Sequence, residues 1–151
     1  MASETPVSRS AVVESTSSAV SSVCESILSD LKANSFDEED IFAVHLALEE
    51  AFINAVKHGN NMDAAKEVKI NYLVALDRIE VTVVDEGEGF DPDAIPDPRY
   101  GENLYKPEGR GLFLMCSYMD VVEFSERGNS VYMVKYKEGQ NPTKSEDQTQ
   151  A

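Results

Sequence analysis

Residues 50–59 read Glu50-Ala51-Phe52-Ile53-Asn54-Ala55-Val56-Lys57-His58-Gly59, and the fold assignment rests on them. Glu50, Asn54 and His58 stand four apart, so on an α-helix each step carries about 40° round the axis and the three polar groups share one stripe. Val44, Leu48, Ala51 and Ala55 make a separate apolar face that is sufficient as the core side. A carboxylate and a carboxamide one turn apart can act together, the amide oxygen as a hard ligand for Mg²⁺ and the carboxylate as a base or a holder of water. On spacing alone the same residues also read as no more than the wet side of a helix. Upstream, Ser35 and Glu38 form S-x-x-E ahead of the apolar run, and Gly59 stands where a left-handed C-terminal cap belongs. Together these signals predict a helix over about 37–58.

Working outward, Ala19/Val20, Val23/Cys24, Ile27/Leu28 and Leu31 recur at helical spacing and predict an earlier helix over about 16–32, preceded by a short strand at 11–13. Downstream the period changes to two. Val68, Ile70, Tyr72 and Val74, then Ile79, Val81 and Val83, alternate on either side of Asp77-Arg78 and predict an antiparallel hairpin. Residues 85–108 carry Gly87, Gly89 and Gly101 with Pro92, Pro96, Pro98 and Pro107, too much punctuation for regular structure and too long for an idle connection. A third helix is expected over about 111–118, and a second strand pair at 121–125 and 130–136. The order β-α-α-β-β-loop-α-β-β predicts an α+β fold, a two-layer sandwich of a mostly antiparallel mixed sheet with helices on one face. The expected layout is a flexible N-terminus at 1–8, one domain at 9–137 and a flexible polar tail at 138–151.

Two further stretches place chemistry-bearing residues at element ends. In Val83-Val84-Asp85-Glu86-Gly87-Glu88-Gly89-Phe90 a strand ends in D-x-G-x-G. Two glycines let backbone approach a flat ligand while the carboxylate accepts from an exocyclic amine. An acidic turn is the plainer reading, and a calcium loop is excluded because Gly87 occupies the third position of the D-x-[DN]-x-[DN]-G pattern. In Glu108-Gly109-Arg110-Gly111-Leu112-Phe113, two glycines open a helix whose free N–H groups, with Arg110, suit an anion; a tight turn into a core helix would look the same.

The chain has 151 residues and a net charge of −15 at pH 7, with 42% hydrophobic residues. That length suits one domain, large enough to bury roughly two-thirds of its unfolded surface without disulfide or metal. The charge argues against direct nucleic-acid binding and against anionic membrane, both of which need a basic footprint. Cys24 and Cys116 have neither metal-ligand spacing nor a CxxC pattern, as expected of reduced thiols. With no signal-peptide pattern and no membrane-length apolar run, the expectation is a soluble cytoplasmic protein.

Taken in order, EEAFINAVKHGN, VVDEGEGFDP and EGRGLFLMCSYMD followed by a strand pair resemble the GHKL-type ATP-binding (Bergerat) fold shared by histidine kinases, type II topoisomerases and mismatch-repair ATPases. They are most similar to its anti-sigma-factor branch, the small serine-protein kinases of bacterial partner-switching systems, over about residues 10–137. The resemblance implies ATP and Mg²⁺ as cofactors. It implies Asn54 as the Mg²⁺ ligand, Glu50 as the general base, Asp85 as the acceptor from the adenine amine, Gly87 and Gly89 beside the base, and Gly109 and Gly111 near the phosphates with Arg110. Ser130 falls where the family has a threonine that helps to hold adenine. His58, at a helix end, is read as structural. The implied activity is a serine/threonine protein kinase that phosphorylates an anti-sigma-factor antagonist, carried on another protein, and sequesters a sigma factor, working as a homodimer. Two alternatives remain: an ATP-gated binding module without turnover, and the catalytic domain of a histidine kinase. The second is disfavoured because neither His45 nor His58 sits in a dimerising helical hairpin. A nucleotide-free relic of the fold is opposed by the intact Asn54, Asp85, Gly87 and Gly111.

Overall fold

The computed structural model describes residues 6–61, 63–87, 107–125 and 129–140, with backbone alone for 58 and 107–112. The elements run β1 (Val7–Glu14), α1 (Ser17–Ala33), α2 (Glu38–Ile53), a π-helical turn (Asn54–Gly59), β2 (Glu67–Val74), β3 (Arg78–Val84), α3 (Pro107–Tyr118), β4 (Val121–Phe124) and β5 (Ser130–Tyr136). The five strands form one sheet in the order β1-β2-β3-β5-β4, and all four pairings are antiparallel. One face carries Val68, Ile70, Val74, Ile79, Val81, Val83 and Met133, all buried, against Ile27 and Leu31 of α1, Val44, Leu48 and Ala51 of α2 and Met115 of α3. This is the expected two-layer α+β sandwich, except that the described sheet is antiparallel throughout where a mostly antiparallel mixed one is expected, and the stripe Val44, Leu48, Ala51, Ala55 is the buried face of α2 and the turn that follows it.

The first strand is longer than expected and begins inside the stretch assigned to the polar N-terminus. Arg9 is the reason. It occupies an inward position between Val7 and Ala11 and so interrupts the apolar alternation, yet its Nε donates to Asp30 of α1 at 2.9 Å, where the Tyr72 hydroxyl also donates at 2.7 Å. A polar contact between β1, β2 and α1 thus replaces the apolar one that the period-two reading looked for.

The helix boundaries exchange the parts expected of Ser35 and Gly59. Ser35 is no N-cap: its φ is 65°, its N–H donates to the Lys32 carbonyl at 3.2 Å, and the Phe36 N–H donates to the Leu31 carbonyl at 3.1 Å. Those two bonds are a Schellman ending for α1, with buried Phe36 and Leu31 in the core beneath. The capping box therefore does not form. α2 instead starts from Asp37, whose Oδ1 accepts from the Asp40 N–H at 2.8 Å, with Glu38, Glu39 and Asp40 in the first turn complementing the helix dipole. Gly59 in turn has no left-handed φ; among the described glycines only Gly139 does. α3 opens four residues earlier than expected, on Pro107, a favoured first helical residue whose missing N–H costs nothing there.

Candidate functional site

The site forms where the C-terminal end of the α2 helix meets the end of β3. After Ile53 the backbone widens into the π turn, in which the Asn60 N–H reaches the Ala55 carbonyl, five residues back, at 2.8 Å. Single π turns of this kind mark functional positions more often than chance. Glu50 lies in the last turn of α2 and Asn54 opens the π turn; both are partly exposed.

The extra residue in the turn delivers Gly59 and Asn60 to β3. A Cβ on Gly59 would overlap Cγ and both carboxylate oxygens of Asp85, and a Cβ on Gly87 would overlap the Gly59 carbonyl. Gly59 is therefore required for close approach, as is Gly87. Asp85 Oδ1 accepts from the Gly87 N–H at 2.7 Å, and among the described residues Oδ2 accepts no hydrogen bond. Burial pushes this carboxyl above the usual carboxylate range, against the opposing pull of the Gly87 N–H and Lys66. A half-buried carboxylate with one oxygen engaged and the other uncommitted is suited to accepting one donor from a ligand.

The backbone around Asp85 is held on two sides. Its N–H donates to the Asn129 carbonyl at 2.9 Å, and Asn129 Nδ2 donates to the Asp85 carbonyl at 3.3 Å. On the other side, fully buried Asn60 accepts from the Glu86 N–H at 2.8 Å while its Nδ2 donates to Ser15 Oγ at 3.0 Å and to the Glu67 carbonyl at 3.1 Å. Ser130 opens β5 opposite Val84, one residue before Asp85.

The structure thus brings Asp85 and Gly87 together with the π turn that Asn54 opens. Gly109, Arg110 and Gly111 lie in the first turns of α3, which packs on α2, so the glycine pair sits inside the helix rather than ahead of it. Gly89, and most of the loop 85–108, lie outside the described residues. A groove of about 620 Å³ between α1 and α2, lined by Val20, Cys24, Phe52 and Ile53 among others, is bordered by neither Glu50 nor Asn54. Sequence reading missed Asn60 and Asn129. The Gly-Asn step after a helix was the available signal for Asn60, but nothing in composition tells a buried asparagine from a solvated turn residue.

A family model described as a histidine kinase-like ATPase domain matches residues 13–135. The chain belongs to that family. Its relatives include proteins named serine-protein kinase RsbW: that of Bacillus licheniformis is 35% identical over 111 residues, covering 67% of this chain and 68% of that protein. The Bacillus subtilis protein is 36% identical over 109 residues, covering 68% of each. These relatives place the chain in the serine-protein kinase branch that its motifs resemble. Among solved structures, the RsbU and RsbW domains of Rv1364c from Mycobacterium tuberculosis share the fold, with a TM-score of 0.59 at 16% identity over 87% of this chain and 32% of that one. In the histidine kinase-like ATPase frame, the described helices include none long and apolar enough to cross a membrane.

Proposed function

We propose that the chain is an ATP-dependent serine/threonine protein kinase of anti-sigma-factor type, which phosphorylates a protein antagonist and sequesters a transcription factor. It would act in the cytoplasm as a homodimer. The observation that carries the reading is the convergence of Gly59, Asp85 and Gly87 at the end of the turn that Asn54 opens. The two glycines let their backbones close on the Asp85 carboxylate and hold it with one oxygen that accepts no hydrogen bond among the described residues, which fits an adenine ring whose exocyclic amine donates to Asp85 Oδ2. Ser130, beside that strand end, adds a hydroxyl.

The residues present also fit a magnesium-bound triphosphate. Mg²⁺ is held in such sites by one or two protein oxygens together with phosphate oxygens, so the Asn54 amide oxygen suffices as the protein's share. Bound with ATP, the ion neutralises charge on the transferred group. Asn54 would fix the triphosphate relative to α2; the first turn of α3, which opens on Pro107 ahead of the glycine pair Gly109 and Gly111, would offer its unbonded backbone N–H groups, and Arg110 a cation, to phosphate. Glu50, one turn before Asn54, takes the proton from the incoming serine hydroxyl as its oxygen attacks phosphorus, and the ADP oxygen leaves with the electron pair of the broken bond.

Labelled ATP, incubated with the protein and a candidate antagonist, tests the proposal. Label on an antagonist serine is expected. Asn54→Ala should abolish Mg²⁺-dependent ATP binding, whereas Glu50→Gln should bind ATP normally and lose transfer by about 10²-fold or more. Equal transfer by Glu50→Gln and wild type would remove the base assignment; nucleotide-dependent capture of a partner without label would make the chain an ATP-gated binder.

A further inference from the structure

We propose that Asn60 is a positioning residue for base recognition: it holds the Glu86 amide so that Asp85 presents Oδ2 to the ligand's exocyclic amine. The inference rests on the nucleotide reading above and adds a residue to it. Asn60 has no solvent exposure, and all of its side-chain polar atoms are engaged, Nδ2 with Ser15 Oγ and the Glu67 carbonyl, Oδ1 with the Glu86 N–H. A carboxamide so enclosed is fixed in orientation, because any rotation leaves a buried donor or acceptor unmade.

What distinguishes it from a merely structural asparagine is the peptide it grips. Asp85's own N–H and carbonyl are tied to Asn129, and the next N–H along the chain, that of Glu86, is tied to Asn60. The peptide groups on both sides of the Asp85 Cα are therefore fixed from two different parts of the fold. The side chain, with Oδ1 bonded to Gly87 N–H and its flank against Gly59, then has a single arrangement, and Oδ2 a single direction. Asn60 follows the π turn directly, so the element carrying Asn54 also sets the carboxylate. Without the Asn60 acceptor, the Glu86 peptide can turn to find another partner and take Oδ2 off its line.

The test is a selectivity ratio, which a simple loss of folded protein does not change. Affinities for MgATP and for magnesium purine-riboside triphosphate, which lacks the exocyclic amine, are measured by calorimetry on the full chain. A well-aimed hydrogen bond to a charged acceptor should make wild type prefer ATP by roughly ten- to a hundredfold. Asn60→Ala should bring the ratio to within about threefold of unity. Asn60→Ser is the second variant should Ala not fold: its hydroxyl keeps a partner on the Ser15 side but is one bond too short for the Glu86 amide. Ser15→Ala is the control, removing one partner of Nδ2 while leaving Oδ1 in place; it should lower the melting temperature and keep the ratio. An unchanged ratio in the Asn60 variant overturns the proposal, and so does an equal loss in Ser15→Ala, which would assign the effect to loosened packing. If wild type binds neither triphosphate, the nucleotide reading itself falls, and this inference with it.

Discussion

At the scale of single residues, Asp85 gathers several constraints in one side chain. The pKa of its carboxyl is raised by burial, so the ionised form carries a desolvation cost that, in the proposed function, a donor from the ligand would relieve. The sign follows from linkage: a carboxyl whose folded pKa lies above its unfolded value favours folding when protonated, and that contribution is lost as pH rises through the folded pKa. Asp85→Asn should therefore raise the melting temperature of the nucleotide-free protein at pH 7 and not at pH 4. Binding responds the other way. As pH falls through the raised pKa, Oδ2 gains a proton and no longer accepts from an amine, so MgATP affinity should weaken at a pH above the ordinary aspartate range of about 4. Calorimetry across pH 4–8, with Asp85→Asn as the reference that cancels titration of the phosphates, checks this. Parallel pH profiles for the two proteins would show that Asp85 does not receive the amine. That a glycine is needed at 87 was legible in the sequence as close backbone approach, although D-x-G-x-G alone reads equally as an acidic turn and the backbone that Gly87 meets is that of Gly59. The need for Gly59 was misread. A glycine after a helix usually supplies positive φ, whereas here it supplies the space that Asp85 fills, and only tertiary contact separates the two.

At the scale of elements, periodicity located the helices and strands because each buries one face. It failed at ends and at the π turn, where local geometry is decided by hydrogen bonds that leave the apolar pattern unchanged. Over six residues, repeats of 3.6 and 4.4 per turn cannot be told apart, and Ala55 and Val56 are both buried in the wider turn. Ser35 shows the same limit. S-x-x-E is a sound start signal, but Asp37 is an equally good cap, and the α1 ending needs a left-handed residue at position 35 so that Phe36 can reach the core. The two readings predict opposite mutational effects. With Ser35 at φ 65°, Ser35→Gly should stabilise the protein by about 0.5–1 kcal/mol by removing Cβ crowding, while Asp37→Ala should cost about 1 kcal/mol through loss of the cap. Denaturant midpoints for the two variants decide it: a destabilised Ser35→Gly beside an unaffected Asp37→Ala would restore the capping box.

At the scale of the whole molecule, the net charge of −15 sets a condition on how a triphosphate arrives. Magnesium-bound ATP is itself anionic, so the overall field opposes its approach, and in the proposed function the attraction that would hold it has to be short-ranged: the metal through Asn54, the start of α3, and the uncharged backbone around Gly59 and Gly87. Long-range repulsion and short-range attraction respond differently to salt. Screening lengthens the reach of neither, but at about 0.15 M ionic strength the Debye length is near 8 Å, which removes most of the field from distant surface carboxylates and leaves contacts inside the site nearly intact. The association rate for MgATP should therefore rise as sodium chloride goes from about 10 to 150 mM, by about two- to tenfold, while the dissociation rate changes little. Stopped-flow measurement with a fluorescent ATP analogue reads both rates. An association rate that falls with salt would mean that a local positive field, centred on Arg110 and the α3 terminus, outweighs the acidic surface and steers the nucleotide in. In that case Arg110→Ala should reverse the slope, which makes the sign of the salt dependence a direct measure of which charge the ligand feels first.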